Sequence, residues 1–160
     1  MHEPSALERA LVNAVACLRE VGSPHALIGG LAVAVHLGHP RAAGDVNLAV
    51  RSDSDRERVV AALLGGGFSL HGRFQHSLNF LHAQGEPVQL ALDPGFDEAI
   101  DRADSFPLAG IPIRIVRRDD LIALKERAAA DPRRRKSKAL RDRSDVEMLR
   151  GDVPEPDEGW

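Results

Sequence analysis

The sequence predicts an α/β (α+β) domain in which a mixed sheet of about four or five strands is flanked by helices. Three observations carry that expectation. Segments with helical apolar spacing alternate with short apolar runs that read as strands. Gly, Pro, Asp and Ser punctuate the junctions between them. At 160 residues the chain is long enough to bury one core without metal or disulfide support.

Each element follows from local chemistry. Ser5 and Glu8 have capping-box spacing, and Leu7, Leu11, Val15 and Leu18 recur at helical intervals, giving a first helix that ends near Gly22. "HALIGG" (25–30) reads as a buried strand closing in two glycines, and "LAVAVHLG" (31–38) as a short helix stopped by Gly38. "DVNLAV" (45–50) is the next strand. Residues 52–67 read as a helix capped by Ser52 or Ser54, with Glu57 three positions beyond Ser54 and a glycine run at its end. "SLNFLHA" (77–83) and "PVQLALD" (87–93) flank "QGE" as a hairpin. "FDEAIDRA" (96–103) suggests a short helix and "IPIRIV" (111–116) a strand. "DDLIALKERAAA" (119–130) is a helix that Pro132 terminates. "SDVEMLRG" (144–151) is a last helix with Gly151 as its C-cap. Residues 1–151 are expected to form one domain, and 152–160 a polar, disordered tail.

Composition narrows the function classes. A formal net charge of -3 gives no global electrostatic reason for binding nucleic acid or an anionic membrane. Cys17 is the single cysteine and has no partner within the chain, which fits a reducing compartment. The first ten residues lack a signal-peptide pattern, and no apolar run approaches the ~20 residues that span a bilayer. The expected location is cytoplasmic, with no membrane partner.

Chemistry concentrates between residues 29 and 89. A strand that ends in Gly29-Gly30 before a helix presents backbone N–H groups and the positive end of a helix dipole, which suits phosphate. Taken alone, the glycine pair reads more readily as a tight turn needing positive φ. Residues 45 and 47 share one face of their strand. Two carboxylates there would hold a divalent cation against the phosphates of a nucleotide, and a third, from the strand carrying Gln89, would complete a site for nucleotidyl transfer.

Residues 25–50, "EPVQLALDPGFDEAIDRA" and "LAGIPIRIVRRDDLIALKERAAA" together resemble the minimal nucleotidyltransferase superfamily, in particular the AbiEii-like and related small bacterial proteins. Gly29-Gly30, Arg41, Asp45, the "PVQL" strand and the Leu121/Lys125 helix occur in the family's order, over roughly residues 5–150. The resemblance implies a nucleotidyltransferase fold and an NTP substrate with Mg²⁺. It also implies transfer of a nucleoside monophosphate to a hydroxyl of RNA, such as tRNA, or of protein. Several members belong to toxin–antitoxin pairs, so an antitoxin-like protein partner is a further expectation. Carried over by position, Asp45 is the first metal carboxylate, and Gly29, Gly30, Arg41 and Lys125 are nucleotide-binding. Arg41 reads equally as a surface arginine, and Lys125 as a lysine that lays its stem along apolar surface.

The departures are as specific as the matches. Asn47 stands where the second carboxylate belongs, Gln89 where the third belongs, and Ala43 replaces the family's threonine. Each amide keeps shape and removes charge, and a neutral amide oxygen is a weaker ligand for a hard cation. If the cation supplies several kcal/mol in the transition state, losing about 4 kcal/mol slows the step about a thousandfold. Gln89 also cannot take the acceptor hydroxyl's proton as a general base. The expectation is therefore a protein of this fold with impaired or lost transfer, any Mg²⁺ held weakly at Asp45 with Asn47. The alternative is a non-catalytic module that binds nucleotide, RNA or protein.

Other candidates read as structure. Asp93 shares parity with Gln89 but lies roughly 13 Å further along at ~3.3 Å per residue. Asp53 and Asp55 read as helix-start acids. His71, His76 and His82 lack the spacing of a zinc site. "RRRKSKALRDR" (133–143) is a dense basic run that could contact nucleic-acid phosphates but reads better as a solvated loop between two helices; with no tyrosine in the chain, five Phe and one Trp, a base-stacking surface is disfavoured.

Overall fold

The computed structural model describes residues 3–38 and 43–152. Arg41 and the tail from residue 153 onward lie outside the described residues. The order of elements is α1 (Ala6–Glu20), β1 (His25–Ile28), α2 (Gly29–Leu37), β2 (Val46–Val50), α3 (Arg56–Gly65), β3 (Ser69–Arg73), β4 (Ser77–Leu81) and β5 (Pro87–Ala91). After a 3-10 turn (Pro94–Phe96) come α4 (Asp97–Asp101), β6 (Asp104–Leu108), β7 (Ile111–Ile115), α5 (Arg118–Ala130) and α6 (Lys136–Leu149).

The sheet is mixed and has seven strands in the order β3-β4-β5-β2-β1-β7-β6, not the four or five expected. The two that escaped prediction, β3 and β6, are its edges. β3 ("SLHGR") carries a register shift between Leu70 and Gly72 and little apolar alternation, because an edge strand covers less core. β6 ("DSFPL") contains Pro107, which an edge tolerates because one side of the strand needs no ladder N–H.

The centre of the sheet is apolar on one face and polar on the other. Val46, Leu48 and Val50 of β2 and Val88 and Leu90 of β5 are buried, and they alternate with Asn47 and Gln89. α1 packs over β2 and β5 and against α3, sending Leu11, Ala14, Val15 and Leu18 into the core. Ser5 caps it by accepting from the Glu8 N–H, as its spacing predicts. α3 departs from expectation, since Asp55 rather than Ser52 or Ser54 is its cap, accepting from the N–H groups of Glu57 and Arg58. Ser52 is engaged elsewhere, donating from its backbone N–H and its hydroxyl to Asp97.

The larger correction is at the C-terminus. The last helix begins at Lys136, not 144, so most of the basic run expected as a loop is helical. Its inward face carries Ala139, Asp142, Asp145, Val146 and Leu149. Two aspartates interrupt the apolar stripe that would have marked it as a core-facing helix.

One buried titratable group makes stability depend on pH. His25, which opens β1, is buried, and its Nδ1 donates to the Ser23 carbonyl. Burial holds its pKa below the ordinary 6.5, with Arg19 and Arg114 adding repulsion against a partly opposing hydrogen bond. The unfolded chain therefore binds a proton that the fold resists, and stability falls as pH drops below 6.5 toward the depressed folded value. Urea denaturation at about pH 5.5 and 7.5 is expected to show a smaller acid-side loss in His25→Gln than in the unmodified protein.

Candidate nucleotide cleft

Residues 25–37 form a strand, a tight turn and a helix, and that bend borders a cleft. Ile28 is extended, and Gly29 then adopts φ +74 as α2 begins. A Cβ on Gly29 would meet Asn47 Nδ2 at 2.8 Å and Asn47 Cβ at 3.0 Å. Both pressures select glycine: a left-handed backbone and the close approach of β2. The turn that the glycine pair suggested is real, and Gly29 and Gly30 also line the cleft. α2 has no side-chain N-cap and no acid in its first turn, so its leading N–H groups are left for other acceptors.

Opposite them stands a row of polar side chains set by strand register. Asn47 pairs with Ile28 on one side and with Gln89 on the other, so both amides project from the same pleat. Gln89 in turn faces Asn79 of β4, whose side-chain oxygen is buried and accepts no hydrogen bond. Asp45 precedes β2, and its Oδ1 accepts from Asn47 Nδ2 at 3.1 Å. The amide thus turns its donor, not its oxygen, toward the carboxylate. Among the described residues no three His, Cys, Asp or Glu side chains are gathered as metal ligands. Asp93 accepts from the Gly95 N–H as the cap of the 3-10 turn. Asp53 pairs with Arg51. His82 is buried between Asn13 and Glu86, while His71 and His76 are exposed.

The far wall comes from α5 and α6. The cavity encloses about 330 Å³, within the range of small-molecule sites. Leu121, Leu124 and Phe96 supply its apolar lining. Lys125 also lines it, but its ammonium lies 3.4 Å from Asp142 and 3.0 Å from Asp145, both buried, and its own side chain is 13% exposed. The lysine does not carry its charge out to water. Arg134 makes a second contact to Asp142. Beyond this buried network Lys138 and Arg141 also face the cleft, and neither makes an ion pair with a described residue.

Sequence reasoning missed Asp142, Asp145, Arg134, Lys138 and Arg141. A signal for four of them existed in their spacing, since positions 138, 141, 142 and 145 fall on neighbouring turns of one helix, with Arg134 just before it. What the sequence could not show is that Lys125, on the preceding helix, neutralises two of them.

Gly29→Ala is expected to destabilise the protein by about 1–3 kcal/mol, because alanine is strained at this φ and its methyl displaces Asn47. Gly38→Ala, at the similar φ of +72 but with open space around it, is expected to cost less. Thermal melts of the two variants check the difference.

No family model matches this chain, and no curated protein sequence matches it. Solved structures do. The lincosamide antibiotic adenylyltransferase LnuA, lincomycin-bound, aligns with a TM-score of 0.64 at 11% identity, over 95% of this chain and 100% of that one. ANT(2'')-Ia in complex with adenylyl-2''-tobramycin aligns at 0.65 and 18% identity, over 92% and 91%. An antigenic nucleotidyltransferase-like protein from Paracoccidioides brasiliensis aligns at 0.56 and 17%, over 91% and 76%. Likeness at such identities speaks to architecture alone, and the architecture of this chain is the nucleotidyltransferase fold.

Proposed function

We propose that this protein binds a nucleoside triphosphate in the cleft between the β2–β5 row and the α5–α6 wall, and that it transfers the nucleotidyl group poorly or not at all. The observation that carries the reading is the in-register pair Asn47 and Gln89 beside Asp45. In a transferase of this fold, these neighbours would be expected to supply charge for a cation and a base for the acceptor hydroxyl.

Donor chemistry tests the fit of a cation. Mg²⁺ takes oxygen ligands in near-octahedral geometry, usually one or two carboxylates with phosphate oxygens. Here one carboxylate is present, one of its oxygens is already bound by an amide N–H, and both neighbours are neutral. This set does not fit a firmly held divalent ion. The remaining parts suit binding: the Gly29-Gly30 turn and the α2 N-terminus offer N–H groups to phosphate, and the apolar lining can hold a base or sugar face. Transfer needs more. The acceptor oxygen must lose its proton as it attacks the α-phosphorus and pyrophosphate departs, and Gln89 cannot take that proton.

The test is to incubate the protein with labelled NTPs and Mg²⁺ or Mn²⁺, offering tRNA, a lincosamide and an aminoglycoside as acceptors, alongside calorimetric titration of the same NTPs. Binding with little or no label transfer supports the reading. Efficient transfer to any acceptor overturns the loss of activity, and no binding overturns the nucleotide site.

A further inference from the structure

Among the described residues the cleft has one carboxylate, Asp45, beside the amide row and several basic side chains on its α5–α6 wall. Its lining, counted over the described residues, holds four cationic side chains (Lys125, Arg134, Lys138 and Arg141) against two carboxylates (Asp45 and Asp142). Lys125 and Arg134 are already matched by Asp142 and the neighbouring Asp145. Lys138 and Arg141 make no ion pair with a described residue. They lie three residues apart on α6, so they occupy adjacent turns of one helical face.

We infer that this cleft binds polyphosphate without a metal ion, Lys138 and Arg141 taking the charge that a divalent cation would otherwise neutralise. The inference rests on the nucleotide-binding reading above and specifies its electrostatics. A floor with three carboxylates repels a triphosphate unless a cation lies between them, so binding and metal are coupled. With one carboxylate that repulsion falls, and an arginine and a lysine suffice as phosphate partners. Arg141 can offer two parallel N–H donors and Lys138 a point charge. The buried pairs hold the wall in place, because Asp142, the residue after Arg141, ties Arg134 of the α5–α6 turn to Lys125 of α5. The ligand class is a nucleoside triphosphate, with inorganic triphosphate as the part that these two residues recognise.

Calorimetric titration of ATP into the full chain, once with EDTA and once with Mg²⁺ in excess, tests this directly and needs no variant. The affinities are expected to agree within about threefold. Lys138→Gln with Arg141→Gln is expected to weaken binding by at least about tenfold, as for the loss of charge-assisted phosphate contacts. Arg133→Gln, exposed and outside the cleft lining, is expected to change nothing. Inorganic triphosphate is expected to compete with ATP in EDTA. Circular dichroism melts confirm that the double variant folds, both positions being exposed. Binding that appears only with Mg²⁺ overturns this inference and leaves the nucleotide reading standing. Metal-independent binding indifferent to Lys138 and Arg141 also overturns it. Binding of tRNA through these two residues, with no competition from triphosphate, reassigns them to a nucleic-acid surface. Absence of ATP binding under both conditions sinks both readings together.

Discussion

Asn47→Asp combined with Gln89→Asp is expected to confer Mg²⁺-dependent nucleotidyl transfer at least about a thousandfold faster than the unmodified chain, equivalent to about 4 kcal/mol of transition-state stabilisation. The geometry explains both why the pair is needed and what it costs. Asn47 now donates to Asp45 at 3.1 Å. An aspartate at 47 replaces that attraction with two carboxylates in contact, and an acid at 89, its register neighbour, adds a third. Like charges so close destabilise the ionised form and the fold that holds them. The double variant is therefore expected to melt several degrees lower in EDTA than the unmodified chain and to recover with Mg²⁺, since a ligand bound only by the native state stabilises it. The unmodified chain should show almost no Mg²⁺ shift. A variant that gains the Mg²⁺ shift without transfer would place the missing function in the acceptor site; one that gains neither would mean that these positions do not form a metal site.

The second large effect is on stability. Lys125→Met is expected to cost about 3–5 kcal/mol, the range for removing one member of a buried ion pair. Asp142 and Asp145 are 3% and 1% exposed at their side chains, and Lys125 reaches both. Without it, Asp142 keeps Arg134, but Asp145 loses its lysine in a site that water scarcely reaches. Removing the acid as well is expected to be gentler: Lys125→Met with Asp145→Leu should recover part of the loss, because the buried carboxylate that lost its lysine is gone as well. The contrast is Arg150→Ala, which breaks a half-exposed pair with Glu126 and is expected to cost less than about 1 kcal/mol. Urea denaturation of the four proteins separates these outcomes. The α5–α6 wall also forms one side of the cleft, so Lys125→Met is expected to weaken nucleotide binding along with stability.

How far the sequence was legible follows from where each residue finds its partners. β1, β2, β4 and β5 are legible because each alternates or concentrates apolar residues against a core. The site floor is legible because strand parity aligns 45 with 47, and the resemblance supplied the position of 89. The parallel register that sets Asn47 beside Gln89 confirms their adjacency, while their chemical role stays with the proposed function. β3 and β6 were not legible, since edge strands carry bulges, prolines and exposed side chains that look like loop. The first half of α6, before residue 144, was not legible for a different reason. Its buried stripe contains Asp142 and Asp145, which reasoning from polarity assigns to solvent. Their neutralisation depends on Lys125, 17 residues from Asp142, and so appears only when α5 and α6 are placed together. The same blindness hid Lys138 and Arg141, whose meaning comes from the cleft they face.

The central claim is that a nucleotide occupies the space between the Gly29-Gly30 turn, the amide row and α6. Two-dimensional NMR of the isotopically labelled protein titrated with ATP measures that most directly. The account predicts saturable shifts in the backbone N–H of Gly29 and Gly30 and in the side-chain amides of Asn47 and Gln89, with EDTA present. Shifts confined to other surfaces, or none at millimolar ATP, would contradict it.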